Sequence, residues 1–190
     1  MALYYCFNKP FGILSQFSDE GGHQGLGHYL NLPKDVYPVG RLDHDSEGLL
    51  LLTNDNRLKT RLLDPKKGHP RTYYIQVEGQ IAEKDAAKLL VPMEINFKGK
   101  IHNCVAVAAS VIEAPNFEER NPPVRFRKEI PTSWLSITLT QGKNRQVRRM
   151  TAQIGFPTLR LVRVGFDTVS LDGLKPGELR ELSERQFISF

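Results

Sequence analysis

From Gly40 to Asp55 the chain reads GRLDHDSEGLLLLTND, which sets one carboxylate, Asp43, on a Gly-Arg-Leu-Asp turn just ahead of a leucine run. A carboxylate there can act as a nucleophile or a metal ligand if the turn holds it still and leaves it accessible. The plainer reading is an aspartate that caps its own turn, and for an isolated Asp before a strand spacing alone favours it. Asp45 suits such a cap better than it suits catalysis, and His44 suits a solvent-facing loop.

The elements that must position Asp43 follow from periodicity. Residues 49–52 are continuously apolar, too few for a helix, and bounded by Gly48 and by Thr53-Asn54-Asp55, which predicts a strand buried on both faces. The polar residues 54–56 offer capping chemistry, and Leu58, Leu62 and Leu63 recur at helical spacing until Asp64-Pro65 stops them. Further on, residues 73–78 alternate as a strand, 82–90 read as an amphipathic helix, 101–112 as one or two strands, and 134–140 and 169–171 as strands. Residues 146–154 have helical spacing ended by Gly155-Phe156-Pro157, and the turn Gly142-Lys143-Asn144 that opens this helix has amides suited to a phosphate. Residues 114–132 carry four prolines and read as a long, partly extended loop. The glycine-rich stretch 21–27 has no leading strand, no G-x-G-x-x-G spacing and no following Lys-Ser/Thr, so it reads as a flexible turn rather than a nucleotide loop. The pattern is α+β and not doubly wound.

A length of 190 residues suffices for one domain with a real core, and residues 1–190 are expected to form a single catalytic unit. No apolar segment approaches the ~20 residues that span a bilayer, and the first residues lack a basic n-region, so a soluble, cytoplasmic protein without a membrane partner is expected. Cys6 and Cys104 form no C-x-x-C pair and fit reduced, buried thiols. The five histidines show no ligand spacing, which leaves metal chemistry little support.

A net charge of +5 and a pI near 9.2 are only mildly basic, but the distribution is uneven. Lys143, Arg145, Arg148, Arg149, Arg160 and Arg163 fall in a stretch, 143–166, with no acidic residue, and Arg125-Phe126-Arg127-Lys128 precede it with Trp134 close behind. A lone charge run is ordinarily a solvated face. Arginine dominance shifts the balance toward nucleic acid, because the planar fork suits phosphate oxygens and stacks on bases.

The segment GRLDHDSEGLLLLTND closely resembles the signature of the ribosomal RNA pseudouridine synthases related to small-subunit pseudouridine synthase A, G-R-L-D-x-x-T-x-G-L-L-L-L-T-N-D. Asn8-Lys9-Pro10-Phe11-Gly12 resembles that family's opening K-P-x-G segment, and Tyr73-Tyr74-Ile75-Gln76-Val77 its tyrosine strand. Residues 142–150, GKNRQVRRM, resemble its G-[RK]-N-R-Q-V-R-R-M motif, and LKPGELREL, 174–182, completes the match. Residues 120–134, RNPPVRFRKEIPTSW, are similar to a subgroup that acts on large-subunit (23S) RNA. Ser46 stands where the family usually has Thr, which keeps the hydroxyl. Most relatives carry a small basic RNA-binding domain of the S4 type ahead of K-P-x-G, where this chain has eight residues, so the catalytic domain itself is expected to capture substrate.

The resemblance implies the pseudouridine synthase fold, a mixed, mainly antiparallel central sheet in two lobes flanking a catalytic cleft. It implies an isomerase that breaks the N1–C1′ bond of a uridine in ribosomal RNA and rejoins the base through C5, without metal or cofactor, and that works as a monomer. By the same likeness Asp43 is the nucleophile, at C6 or at C1′, and Arg148 its basic partner. Tyr73 stacks on the flipped uracil and assists proton removal from C5. Leu161 packs the base's other side, Arg41 helps displace the base, and Lys143, Arg145, Arg149 and Arg163 hold RNA. Two rival readings keep the same residues: a non-catalytic RNA-binding or ribosome-assembly factor, and a nuclease holding magnesium on Asp43 and Asp45.

Overall fold

Every residue of Glu47–Thr53 is buried, the burial an unbroken leucine run demands. The computed structural model describes residues 2–125 and 127–187. In chain order the strands and helices open with β1 (Tyr4–Lys9), β2 (Tyr37–Pro38), β3 (Glu47–Thr53), α1 (Asn56–Leu63), β4 (Arg71–Glu78) and α2 (Glu83–Ala86). They continue with β5 (Met93–Phe97), β6 (Lys100–Cys104), β7 (Ala108–Ile112), β8 (Thr132–Leu139) and α3 (Gln146–Gln153). The last are β9 (Thr158–Phe166), β10 (Val169–Ser170), β11 (Leu179–Glu181) and α4 (Glu184–Phe187). The fold is α+β, as the residue pattern predicts, with the mixed, mainly antiparallel pairing that the family resemblance implies. The chain divides into two compact units, residues 1–69 with 162–190, and residues 70–161.

In the first unit β3 pairs antiparallel with β1, from Tyr4 against Thr53 to Lys9 against Gly48, and β1 pairs in turn with β11. β2 lies antiparallel to β3, at Tyr37 against Thr53. At the other end of β3, Glu47 and Gly48 pair in parallel with Val162 and Arg163 of β9. Leu50 and Leu52 pack with Phe7, Ile13, Leu26, Leu30 and Val36 into one core. Helix α1 begins where Asp55 accepts hydrogen bonds from the Arg57 and Leu58 amides at 3.0 Å, a cap that contributes about 1 kcal/mol, and it buries Leu58 and Leu62.

In the second unit β4, β8 and β7 form an antiparallel array, with Tyr73 opposite Ile137 and Ala109 also opposite Ile137. β5 and β6 make a separate hairpin. Ile75, Val77, Leu135, Ile137, Val147, Met150 and Leu161 are among the residues of this unit's core. The helix expected over residues 82–90 is broken: α2 gives way to a 3-10 turn over Ala87–Leu90, which buries Leu89 while Leu90 stays exposed. β1, β2, β5, β9 and β11 arise where no strand is predicted; of the loop predicted over 114–132, the described residues 114–125 and 127–131 contain no helix or strand, and β8 takes in Thr132.

The glycine-rich stretch 21–27 differs from expectation only towards its end. A Cβ at Gly25 would lie 2.5–2.7 Å from the carbonyl oxygens of Gln16, Phe17 and Ser18, and the Gly25 amide donates to Asp19 Oδ1 at 2.8 Å. The stretch is thus closely packed at Gly25, whereas residues 21–24 are exposed and nothing lies within 4 Å of an added Cβ at Gly21 or Gly22. Cys6 and Cys104 are both free and buried, and burial pushes both thiols upward in pKa.

Candidate active site

The loop carrying Asp43 is tied down on both sides. The Ser15 hydroxyl accepts from the Leu42 amide at 2.9 Å and donates to the Leu42 carbonyl at 2.8 Å, so one side chain fixes both polar groups of the residue before Asp43. The Gly12 amide donates to the His44 carbonyl at 2.7 Å, and the Ser46 amide donates to the Asp43 carbonyl at 3.0 Å. Asp43 itself is half-buried and Arg41 exposed. Backbone anchorage of this kind fixes the point from which the Asp43 side chain leaves the loop. His44 is exposed, as expected of a loop residue, with its ring 4.5 Å from that of His23.

Beneath this loop lies a residue to which the motif reading gave no role. Lys9 is fully buried, and its Nζ donates to the carbonyls of Pro10 at 2.9 Å and Ile13 at 2.7 Å. These bonds shape the turn that supplies Gly12 and Ser15. Burial lowers the Lys9 pKa to about 7, while the nearby charges of Glu47, Asp45 and Asp43 pull it back up and Arg163 lowers it further. Lys9 is therefore a shared counter-charge for three carboxylates of the Asp43 loop and the start of β3.

The unfolded chain holds the Lys9 proton up to about pH 10.5, the folded one only to about 7, so folding is disfavoured by this group at low pH and relieved as pH rises through that window. Lys9→Met leaves two buried carbonyls without their donor and should cost about 1–3 kcal/mol. In urea melts the stability gap between wild type and this variant should widen from pH 7 to pH 10; a gap that stays flat or narrows would contradict the assignment.

Arg163 sits in the same unit, 3 % exposed, with its Nε donating to the Leu49 carbonyl at 2.7 Å and its guanidinium 5.5 Å from the Phe166 ring. Expected from sequence to hold RNA, it makes framework contacts that couple β9 to β3.

The second unit carries the other candidates. Tyr73 on β4 is half-buried and packs on that unit's core, and the paired Thr72 and Thr138 hydroxyls, 3.0 Å apart, pin the register beside it. The turn opening α3 is built around Gln146, only 3 % exposed: its Oε1 accepts from the Lys143 amide at 3.1 Å and its Nε2 donates to Gln141 Oε1 at 2.9 Å. Arg145 adopts the left-handed conformation at the helix start (φ 51°), and Lys143 is exposed. Arg148 is half-buried, with Nη1 donating to the Thr158 carbonyl at 3.5 Å. Arg149 donates to the Asn96 carbonyl at 2.7 Å and lies 5.1 Å from the Phe97 ring centroid, which ties α3 to the β5–β6 hairpin. Leu161 is buried in the core, and Arg160 donates to the Glu118 carbonyl at 3.1 Å and lies 5.5 Å from the Phe117 ring. Thus Arg41, Asp43 and Arg163 belong to one unit, and Tyr73, Lys143, Arg145, Arg148, Arg149 and Leu161 to the other. Lys9, Ser15 and Gln146 are the supporting residues that sequence reasoning did not single out; a lysine and a glutamine amid buried strands and turns carry no periodic signal of burial.

Residues 3–153 match the family described as RNA pseudouridylate synthase. A protein of Vibrio parahaemolyticus named ribosomal large subunit pseudouridine synthase E is 51 % identical over 176 residues, covering 93 % of this chain and 72 % of that one. Its namesake in Xanthomonas campestris is 47 % identical over 175 residues, covering 91 % of each chain. Among solved structures, a pseudouridylate synthase superposes with a TM-score of 0.76 at 24 % identity, over 98 % of this chain and 73 % of that one, a likeness of fold.

Proposed function

The chain belongs to the RNA pseudouridylate synthase family, and on that premise we propose that it isomerises one uridine of large-subunit (23S) ribosomal RNA, acting as a monomer with Asp43 as the nucleophile. The observation that carries the assignment to Asp43 is its loop, pinned through Leu42, His44 and Ser46 so that the carboxylate projects from a fixed backbone.

Asp43 bonds to C1′ or to C6 of the uridine, the N1–C1′ bond breaks, and the base turns to present C5. The C5–C1′ bond then forms, the bond to Asp43 breaks, C5 loses its proton and N1 gains one. No electrons are gained or lost overall, so no oxidant or reductant is required. In this scheme Tyr73 stacks on the everted uracil and assists removal of the C5 proton, Leu161 lines the pocket and Arg148 steadies the ionised carboxylate. Arg41 displaces the base from its helix, and Lys143, Arg145 and Arg149 serve RNA binding. Everting a base costs a few kcal/mol, and stacking on one aromatic ring returns about 1–3 kcal/mol, so phosphate contacts must supply the remainder.

Because C5 surrenders its hydrogen, RNA made with 5-tritiated uridine reports each turnover as tritium in water. Purified protein should release tritium from a large-subunit transcript to a plateau of about one equivalent and leave a small-subunit transcript unreacted. RNA binding without release from any transcript would favour the assembly-factor reading, and release from the small-subunit RNA alone would overturn the choice of substrate.

A further inference from the structure

The catalytic reading leaves one cluster of charge unused. Helix α1 turns Leu58 and Leu62 into the core and leaves Arg57, Thr60 and Arg61 exposed, and the 3-10 turn Pro65–Lys67 adds the exposed Lys66 and Lys67. Lys59 completes the set, with its Nζ 5.4 Å from the centroid of Tyr37, a ring left 51 % exposed. Five cations thus fall between residues 57 and 67, where Asp64 is the sole acidic residue. Asp64 Oδ1 already accepts from the Lys66 amide at 2.9 Å, and the flanking Asp55 accepts from the Arg57 and Leu58 amides. The nearest carboxylates in sequence are therefore engaged in holding backbone, and Arg57, Lys66 and Lys67 stand exposed along the helix and turn. Such a spread of long, mobile cations suits a polyanion better than a single small anion.

Its position gives the patch a role. The Leu63 side chain packs against Gly40, where an added Cβ would lie 3.0 Å from Leu63 Cδ2, so the last turn of α1 abuts the start of the Gly40–Asp43 loop within the same unit. Asp43 lies three positions along the chain from Gly40, a span of at most about 10 Å. We propose that the exposed face of α1 and the following turn, centred on Arg57, Lys66 and Lys67, binds the phosphodiester backbone of the substrate RNA flanking the target uridine. This rests on RNA being the substrate, and it adds a binding surface separate from the arginines of the α3 region. The contacts are to phosphates, so they fix RNA on the enzyme and carry no base preference.

The test uses the whole protein with three charges removed, Arg57→Gln with Lys66→Gln and Lys67→Gln, beside a charge-keeping control, Arg57→Lys with Lys66→Arg and Lys67→Arg. Affinity for a large-subunit RNA fragment is measured across salt concentration, and kcat and KM by tritium release. Neutralisation should raise Kd and KM roughly tenfold near 0.1 M salt, flatten the slope of log Kd against log salt by about 2–3, and leave kcat within about twofold. The charge-keeping control should behave as wild type. A wild-type Kd and slope in the neutralised protein would overturn the proposal, as would an equal loss in the charge-keeping control. If wild type bound RNA without releasing tritium, the catalytic reading would fail while Kd and slope still judged this surface.

Discussion

Replacing Asp43 with asparagine should lower kcat by at least about 10⁴-fold and leave the affinity for RNA within about threefold of wild type. The side chains are nearly isosteric, and the bonds that place the loop run through the Leu42 amide and carbonyl, the His44 carbonyl and the Asp43 carbonyl, none of which the substitution touches. What disappears is the anionic oxygen that forms the covalent bond, and with it the whole route, leaving only positioning; a loss of about 10⁴ corresponds to about 5–6 kcal/mol of barrier. Tritium release read beside a filter-binding isotherm separates the two effects. A parallel fall in binding and turnover would point to a structural Asp43, the turn-cap reading of the sequence.

Gly48→Ala should be the most damaging change outside the reacting groups, costing about 3–5 kcal/mol and lowering Tm by about 10–15 °C. Gly48 has φ +101°, and an added Cβ would lie 2.3 Å from the Arg163 carbonyl oxygen and 2.8 Å from its amide nitrogen. Both obstacles are backbone, so no rotamer relieves them. β3 and β9 must separate where Gly48 pairs with Arg163, and the bond from Arg163 Nε to the Leu49 carbonyl is strained with it. Gly12→Ala is the matching control: its φ is +83° but nothing lies within 4 Å, so only backbone strain of about 1 kcal/mol is expected. Thermal melts of the two variants side by side check the contrast, and an equal loss in both would show that conformation rather than the close approach of β9 governs position 48.

The legible parts of this protein are those whose burial agrees with their residue types. The leucine run of β3, the Asp55-capped α1 and the spacing of Val147 and Met150 in α3 each carry one consistent signal, and each element formed where that signal placed it. β1 and β9 escaped because they bury what patterning treats as polar: Asn8 and Lys9 in the first, Arg160 and Arg163 in the second. The same inversion affects the site. Arg163 reads in sequence as part of an RNA-binding run, yet its side chain is spent on Leu49 and Phe166. Lys9 stands in the K-P-x-G segment, but that it is a buried amine serving the Asp43 loop follows only from its two carbonyl partners and its charged neighbours. The Ser15 clamp joins residues 27 positions apart, a pairing that no local pattern encodes.

The most direct trial is to incubate large-subunit ribosomal RNA lacking the modification with purified wild-type or Asp43→Asn protein, treat it with carbodiimide, and map reverse-transcription stops. A single new stop with wild type and none with the variant is the expected pattern. A stop of equal strength in both lanes would remove Asp43 from the chemistry, and no stop in either would deny the protein its proposed substrate.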